Sequence, residues 1–313
     1  MILAVLAGWL GWVALPLRAL EAARPAVRGH LVIAHRGASY LAPEETMPAY
    51  ELARDLGADY LEVDMQRTKD GVLVAFHDDG PARTTNVAAV FPGQEKQNIC
   101  DFTLAELKQL DAGSWFNRKY PERARKGYAG VKILTMAEVL DIAGAKEKKC
   151  PVYIETKSPG RHPGFEKDLV DLLQARGWLG GEAGGLPKVI FQSFYSESLV
   201  KLGELAPKVP RIYLILPEVV EKEGGWGKML DRAAQIGTGI GPVGTLCWPW
   251  NVGRAHRHGL VVHVFTVDET WQFRLMTWFG VDGCFTNRCD VLMQYYGKPP
   301  AKSADEVLDG LGY

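Results

Sequence analysis

Seven side chains with chemical capacity stand at or just beyond the ends of short apolar runs in this sequence. They are His35, Arg36, Glu62, Asp64, His77, Glu155 and Lys157. The three carboxylates form an oxygen-only ligand set, which suits a hard divalent cation such as Ca²⁺ or Mg²⁺ better than zinc. Two imidazoles serve displacement at phosphorus, because one takes the proton of the attacking oxygen and the other protonates the leaving oxygen. The residue types therefore predict a metal-dependent phosphodiesterase.

The two basic residues allow two interpretations. Arg36 and Lys157 can neutralise the non-bridging oxygens of a bound phosphate. Alternatively, they pair with Glu62, Asp64 and Glu155 in a structural network that holds no metal. Inward-facing carboxylates clustered at strand ends more often serve a site than stability, which favours the first interpretation.

Nine apolar runs alternate with helical patterns, as in a parallel sheet with crossover helices. The runs cover residues 30–35, 59–66, 72–77, 151–157, 188–194, 211–216, 240–246, 260–267 and 282–287. The TKDG sequence at 68–71 is too short for a parallel crossover, so the second and third runs are expected to form an antiparallel hairpin with Asp70-Gly71 in its turn. The other eight runs predict a TIM (β/α)8 barrel, whose strand ends bring side chains to one mouth.

The hairpin is expected to carry His77 to the same carboxylates. If Arg67 pairs with Val72, His77 stands directly opposite Glu62. A tighter turn places it opposite Asp64. Cross-strand partners share a face about 5 Å apart, so either register brings the second imidazole to the acidic side chains.

An insertion of about 50 residues, from 78 to 129, separates the hairpin from the next barrel run. Thr103 and Glu106 have the spacing of a capping box and predict a helix start there. Residues 113–128 mix aromatic and charged side chains and are expected to form a loop that shapes access to the site. Before the insertion, Thr46 is the expected N-cap of the first barrel helix.

Composition narrows the function classes. The chain of 313 residues has 47% hydrophobic and 23% charged residues, which is typical of a globular protein. A net charge of −1 and the lack of a basic stripe disfavour a nucleic-acid phosphodiesterase. The 5 cysteines contain no C-x-x-C pair, so neither a zinc site nor a disulfide framework is indicated.

Residues 1–17 carry no charge, and Arg18 follows them directly. The length suits an export signal or an N-terminal membrane anchor, although the basic start and the A-x-A cleavage site of a signal peptide are missing. A packing helix of the folded domain is the third interpretation, which Gly8, Gly11 and Pro16 disfavour. The expected division is a targeting segment at 1–27, a catalytic barrel at 28–297 and a C-terminal tail at 298–313. The expected location is outside the cell, in the periplasm or at a membrane, rather than in the cytoplasm.

The ordered motifs resemble the glycerophosphodiester phosphodiesterase family over about residues 31–292. The motifs are AHRG at 34–37, PEET at 43–46, EVD at 62–64, TKDG at 68–71, FHD at 76–78, IETK at 154–157, QSF at 192–194, FTVD at 265–268 and VDGCFTN at 281–287. Ordered HRG, EVD, HD and ExK blocks are far more specific than any one of them. RTTNV at 83–87 and TLAELKQLDAGSWF at 103–116 resemble the insertion of bacterial members.

The resemblance implies metal-dependent hydrolysis of a glycerophosphodiester to sn-glycerol 3-phosphate and an alcohol. It implies that His35 and His77 are the acid–base pair and that Arg36 contacts phosphate. The implied metal ligands, which bind Ca²⁺ or Mg²⁺, are Glu62, Asp64 and Glu155. The implied substrate contacts are Glu44, Lys157 and, in the pocket, Phe265. Two positions depart from the family pattern: Glu45 replaces the usual Asn, and Phe265 replaces the usual Trp.

Two other functions fit parts of the sequence. A lysophospholipase D or sphingomyelinase D type activity uses the same barrel and histidines, and the apolar N-terminus would bring it to a bilayer. An apolar rim formed by Trp115, Phe116, Trp248 and Trp250 would favour that activity, although aromatic residues pack in cores as often. A non-catalytic binding module would require a lost histidine or ligand, and none is missing.

Overall fold

The computed structural model of the chain describes residues 27–145 and 150–313. Eight parallel strands form a closed barrel, because the first barrel strand pairs with both the second and the last. The barrel strands are β1 (Leu31–Ala34), β2 (Tyr60–Arg67), β4 (Val152–Thr156), β7 (Val189–Ser193), β8 (Arg211–Ile215), β9 (Gly239–Pro242), β10 (Val261–Val264) and β11 (Gly283–Thr286). The predicted TIM barrel is confirmed, and all nine apolar runs contain strands.

The predicted hairpin is present but its register differs from both expected ones. β3 (Leu73–Ala75) is antiparallel to β2, with Met65 opposite Ala75 and Arg67 opposite Leu73. Extended by two positions, this register would place His77 opposite Val63, on the face away from the two carboxylates. The pairing with β2 stops at Phe76, however, whose N–H donates to the carbonyl of Asp64 at 2.8 Å, and His77 lies beyond it.

Two further strands form a short ribbon outside the barrel. They are β5 (Glu182–Ala183) and β6 (Leu186–Pro187), which pair in antiparallel fashion. Gly184 and Gly185 join them with positive φ angles, which glycine adopts without steric cost. The sequence analysis did not predict this ribbon.

Helices surround the barrel. They are α1 (Met47–Leu56), α2 (Val87–Val90), α3 (Leu104–Leu107), α4 (Ser114–Lys119), α5 (Met136–Gly144), α6 (Phe165–Ala175), α7 (Ser196–Leu205), α8 (Pro217–Lys222), α9 (Trp226–Ile236), α10 (Pro249–Arg257), α11 (Thr270–Phe279), α12 (Cys289–Tyr295) and α13 (Ala304–Leu311). Thr46 precedes α1 as predicted, although its hydroxyl donates to the carbonyl of Pro43 instead of capping the helix. The capping box of Thr103 and Glu106 is confirmed at α3.

The prediction that residues 113–128 form a loop is wrong. The segment contains α4 and two 3-10 turns, Pro121–Arg123 and Lys126–Tyr128. Trp115, Phe116 and Tyr128 are buried and pack edge to face. Aromatic burial therefore outweighs the local charge, and Trp115 and Phe116 do not form part of an exposed apolar rim.

Both chain ends of the described structure pack on the barrel. The carbonyl of Val27 accepts a hydrogen bond from His263 Nε2 at 2.8 Å, and Val27 joins the buried cluster that fills one end of the barrel. At the other end, Tyr313 Oη donates to Glu51 Oε2 at 2.6 Å, which ties the end of the chain after α13 to α1.

The proposed targeting segment at 1–27 lies outside the described residues except for Val27. Across residues 27–145 and 150–313, no helix combines the length and apolar character that a bilayer crossing requires.

We predict that Gly37 tolerates no side chain. Gly37 has a φ of 80°, and a Cβ there would meet the carbonyl carbon of Ala49 at 2.7 Å. Gly71 has a similar φ of 87° with open space around it and is the matched control. Gly71→Ala should cost about 1–2 kcal/mol from its left-handed backbone. Gly37→Ala should cost about 1–3 kcal/mol more, because overpacking adds to the same strain. Equal losses in urea unfolding would contradict the close approach of α1.

Candidate active site

A cavity of about 220 Å³ opens at the carboxyl ends of the barrel strands. Its lining includes six of the seven side chains on which the sequence analysis began: His35, Arg36, Glu62, His77, Glu155 and Lys157. Asp64, the seventh, is buried directly behind them and pairs with Arg36 and Lys157. The structure thus brings the predicted residues from four separate segments into one site.

The turn after β1 sets the position of the first two site residues. Arg36 has a φ of 57°, and its backbone N–H donates to Glu62 Oε2 at 2.8 Å. Glu45 also has a left-handed φ, of 59°, and its N–H donates to the carbonyl of Arg36 at 3.2 Å. Non-glycine residues in this conformation are strained by about 1–3 kcal/mol and concentrate at functional sites. Here the strain turns a backbone donor towards a buried carboxylate.

Three carboxylates form the closest acidic cluster in the described residues. Oxygen atoms of Glu45, Glu62 and Asp64 lie within 4.8 Å of one another, and all three side chains are buried. Glu45 Oε1 accepts the backbone N–H of Asp64 at 3.0 Å, and its other oxygen accepts from Tyr50 Oη. Burial, together with the neighbouring carboxylates, raises the pKa of Glu45 and of Glu62 well above the usual range.

Glu155 lies beside this cluster and is joined to it through Lys157. Its strand partner is Asp64, and Lys157 Nζ lies 2.8 Å from Glu155 and 3.3 Å from Asp64. Burial raises the pKa of Glu155 to about 7, against the opposing charge of Lys157. Burial also opposes ionisation of Asp64, but Lys157 and Arg36 hold its pKa below the usual range.

The residues present fit a hard divalent cation. Asp64 Oδ2 is buried and accepts no hydrogen bond within the described residues, although Arg36 Nε lies 3.3 Å away. Glu45, Glu62, Asp64 and Glu155 outnumber the two cations that contact them, Arg36 and Lys157. Uncompensated buried carboxylates are costly, and an all-oxygen set of this kind suits Mg²⁺ or Ca²⁺. The ion pairs of the alternative interpretation are also present, but they leave Asp64 Oδ2 without a hydrogen bond, which favours a cation in addition to them.

A chain of hydrogen bonds fixes the orientation of His35. Asp268 Oδ2 accepts from Asn287 Nδ2 at 2.7 Å, so Asn287 turns its Oδ1 to His35 Nδ1 at 2.8 Å. Nδ1 therefore carries the proton and Nε2 is left as a proton acceptor. Desolvation and the charge of Arg36 lower the pKa of His35, which keeps this partly exposed imidazole neutral.

His77 reaches the cavity from the loop after β3. Its Nδ1 donates to Asp78 Oδ1 at 2.7 Å. Asp78 therefore binds the Nδ1 side of the ring and not Nε2. Arg83 contacts both Asp78 and Glu44 through its guanidinium, at 2.5–2.9 Å. Glu44 also accepts from Arg36 Nη1 at 2.7 Å. Glu44 therefore links the two loops that carry the histidines. Burial alone would raise the pKa of Glu44, but Arg83 and Arg36 outweigh burial and lower this pKa to about 2.

Aromatic side chains form the wall opposite the carboxylates. Phe265 contacts Phe194 and Phe285 edge to face, with ring centroids 5.7 and 6.5 Å apart. Phe265, expected in the substrate pocket, is part of the cavity lining. Gln192 Nε2 donates to Glu62 Oε1 at 2.9 Å and so fixes the carboxylate at the base of this wall.

A second, wider groove of about 570 Å³ adjoins the cavity. It shares His77, Glu155, Lys157 and Phe194 with the cavity. The rest of its lining is mixed, with apolar side chains beside charged ones: Asp78, Asp79, Ser158, Tyr195, Leu216, Glu218, Val219 and Lys222. His77 thus lies on the border between the cavity and the wider groove.

Sequence reasoning did not assign roles to Glu45, Asn287 and Asp268. The signals for the last two were present, since the FTVD and VDGCFTN motifs contain them. Glu45 was noted only as a departure from the family pattern. A carboxylate in place of an amide is visible in the sequence, but its contact with the N–H of Asp64 depends on the left-handed turn.

Comparison with known proteins gives a consistent result. The profile described as the glycerophosphoryl diester phosphodiesterase family matches residues 35–291. A glycerophosphodiester phosphodiesterase of Bacillus subtilis is 42% identical over 262 residues, which cover 83% of this chain and 84% of the relative. An enzyme of the same name from Caldanaerobacter subterraneus is 34% identical, over 86% of this chain and 98% of its own.

Solved structures show the same fold. A phosphodiesterase from Oleispira antarctica, solved in complex with the product sn-glycerol-3-phosphate, superposes with a TM-score of 0.69. It is 26% identical, and the match covers 85% of this chain and 96% of that one.

We predict that a divalent cation stabilises the chain more at pH 8 than at pH 5.5. In the EDTA-treated chain, protonated Glu155 contributes stability below the unfolded pKa of about 4.3. That contribution is lost as the pH rises through the folded value of about 7, and Glu62 acts in the same direction. A cation at 100 times its Kd should add about 2.7 kcal/mol, or roughly 5 °C in Tm.

Differential scanning fluorimetry with Ca²⁺, with Mg²⁺ and with EDTA measures this effect. Glu62→Gln should reduce the cation-induced shift and flatten its pH dependence. The exposed Glu204→Gln is the matched control and should leave both unchanged. A shift that is equal at both pH values in the wild-type chain would show that these carboxylates do not bind the cation.

Proposed function

The chain belongs to the glycerophosphoryl diester phosphodiesterase family, and on that premise we propose that it hydrolyses glycerophosphodiesters to sn-glycerol 3-phosphate and an alcohol with a divalent cation and two histidines. The family predicted from the ordered motifs is confirmed by the match over residues 35–291. The identity of 42% to a glycerophosphodiester phosphodiesterase identifies the chain as an enzyme of this class. The observation that carries the mechanism is the convergence of His35, His77 and the buried carboxylates on one cavity.

His35 acts as the general base in this proposal. Asn287 holds its Nδ1 proton, so Nε2 is the atom that receives a proton from the attacking oxygen. The lowered pKa keeps the imidazole in its neutral form, in which the Nε2 lone pair is available. The same geometry serves attack by water or by the 2-hydroxyl of the substrate glycerol.

His77 acts as the general acid. It borders the open groove, which has room for a leaving alcohol, and protonated His77 forms an ion pair with Asp78 at 2.7 Å. Asp78 is itself fixed by Arg83, whose Nε donates to it at 2.5 Å. The ring therefore stays in place while its Nε2 donates a proton to the departing oxygen.

The basic side chains bind the phosphoryl group. Arg36 and Lys157 line the cavity and stabilise the negative charge that develops on the non-bridging oxygens. Glu62, Asp64 and Glu155, with Glu45 beside them, would hold the cation, which we propose to be Ca²⁺ or Mg²⁺. When bound, the cation polarises a phosphoryl oxygen as a Lewis acid. Glu44 positions Arg36 through their 2.7 Å hydrogen bond.

Lysophospholipids are the second substrate class that we propose to test. The groove beside His77, with apolar Phe194, Leu216 and Val219 in its lining, is far larger than a simple alcohol requires. The apolar residues 1–17 also support access to lipid, as a signal for export or as an N-terminal anchor. This location outside the cell or at the membrane remains a proposal.

We predict that cleavage of glycerophosphocholine depends on the cation and on His35. EDTA should abolish the reaction and Ca²⁺ or Mg²⁺ should restore it. His35→Ala should lower kcat/KM about 10²–10⁴-fold, the usual contribution of general acid–base catalysis. Glu62→Ala should also remove activity. His258→Ala is the matched control, since His258 pairs with Asp231 on the outer surface.

Parallel assays with glycerophosphoethanolamine and palmitoyl lysophosphatidylcholine distinguish the two substrate classes by kcat/KM. Activity that survives chelation or the loss of His35 would contradict the proposed mechanism.

We predict that a better leaving group rescues the loss of His77 but not that of His35. A p-nitrophenyl ester departs without protonation, so His77→Ala should lose about 10² -fold less rate on it than on glycerophosphocholine. His35→Ala should lose the same factor on both substrates, because the attacking oxygen still requires a base. Rescue of His35→Ala instead would reverse the two roles.

A further inference from the structure

Four tryptophans are exposed on one side of the barrel, on and beside α10 and α11. They are Trp248, Trp250, Trp271 and Trp278, with side chains 49, 63, 65 and 76% exposed. We call them the tryptophan face. A soluble surface rarely exposes large aromatic side chains in one group unless something contacts them.

Ring contacts orient three of these four side chains. Trp248 and Trp250 are stacked with centroids 5.2 Å apart and planes within 1° of parallel. Trp248 contacts Phe279, which in turn contacts Trp278. Trp271 and Trp278 are seven residues apart on α11, so they share one side of the helix. The part of the face formed by Trp248, Trp250 and Trp278 is therefore ordered by its own ring contacts, and Trp271 extends it along α11.

The charged residues carried by α10 and α11 themselves are all basic, and Glu269, which precedes α11, lies 3.6 Å from Arg288. Neither α10 nor α11 contains an aspartate or a glutamate, whereas Arg254, Arg257 and Arg274 lie on them. Within the described residues, none of these arginines is close enough to a carboxylate to form an ion pair. Arg257 and Arg274 are exposed. The combination is an aromatic surface with unpaired cations.

We propose that the tryptophan face docks on the surface of an anionic lipid bilayer. Indole rings favour the interface between headgroups and acyl chains, because they are apolar with one polar N–H. Arginines beside them interact with anionic headgroups, to which an unpaired positive cluster is attracted. An acidic protein surface would pair with the arginines but offers the indole rings no boundary between polar and apolar layers.

The rest of the chain supports a lipid partner. The described structure begins at Val27, whose carbonyl is bound by His263 on β10, the strand between α10 and α11. The uncharged residues 1–17 are connected to this point by only nine residues, 18–26, which span at most about 30 Å. An apolar segment inserted in a bilayer thus keeps the tryptophan face within reach of the same bilayer.

Docking through this face also places the active site near lipid. Trp271 lies three residues after Asp268, which fixes Asn287 and through it His35 at the barrel mouth. The start of α11 thus lies next to both the barrel mouth, through Asp268, and the proposed membrane-facing side, through Trp271. This inference concerns where the barrel rests and does not depend on the proposed reaction.

Fluorine NMR of the full chain labelled with 5-fluorotryptophan tests the proposal. The chain has 9 tryptophans, and single Trp→Phe substitutions assign each signal. The chain is placed in nanodiscs of phosphatidylcholine with about 30% phosphatidylglycerol, the anionic component. A nitroxide on the lipid broadens signals that contact the bilayer, and a soluble gadolinium chelate broadens those that face water. Trp115 and Trp178 are buried and serve as internal controls.

Docking predicts that Trp250 and Trp278 are broadened by the lipid nitroxide and protected from gadolinium, while the two controls are unaffected by the nitroxide. Broadening by gadolinium alone would overturn the proposal. Protection from both probes would also overturn it, since the face would then be covered by residues 1–17 or by a second copy. Glycerophosphocholine hydrolysis in the same samples separates this result from the fate of the proposed function.

Charge reversal tests the anionic component. Arg274→Glu should reduce nitroxide broadening of Trp278 about twofold or more, because an acidic residue is repelled by the headgroups. Lys208→Glu, on an exposed lysine outside the tryptophan face, is the matched control and should have no effect. Equal broadening in both variants would contradict the role of anionic lipid.

Discussion

Concentrated negative charge at the mouth of the barrel is the constraint on which the site depends. Glu45, Glu62 and Asp64 are buried together, an arrangement that repels itself and loses hydration. The chain compensates part of that cost with backbone N–H donors and with the cations of Arg36 and Lys157. In the proposed mechanism, a divalent cation would compensate the remaining negative charge, so the repulsion that weakens the cation-free fold would contribute to the binding of that cation.

Much of the fold could be predicted because it follows from spacing. Apolar runs and crossover lengths identify the barrel strands and the hairpin, and eight parallel strands in one sheet leave a single mouth for polar residues at their ends. The prediction that His77 lies near the carboxylates was correct, but the strand register from which it was derived was wrong. Both registers considered would have placed it opposite Glu62 or Asp64, whereas the observed pairing of Met65 with Ala75 points elsewhere. The imidazole lines the cavity from a position just beyond the last paired residue, Phe76.

Other features depend on three-dimensional contacts that no local pattern contains. Glu45 joins the acidic cluster through a left-handed turn, and its neighbour Glu44 joins the two histidine loops through arginines. Trp115 and Phe116 were predicted to lie in a loop because charged residues follow them. Both side chains are buried, however, and the segment forms a helix. In each case the deciding partner lies far away in sequence, and its identity is fixed only when the barrel closes.

The hydrogen bond between His35 and Asn287 joins the first strand of the barrel to the last across 252 positions of sequence. His35, the general base of the proposed mechanism, therefore receives its tautomer from a residue directly after the last barrel strand. The imidazole is oriented only when that strand has taken its place beside the first one. Closure of the barrel and orientation of this imidazole are thus a single structural event.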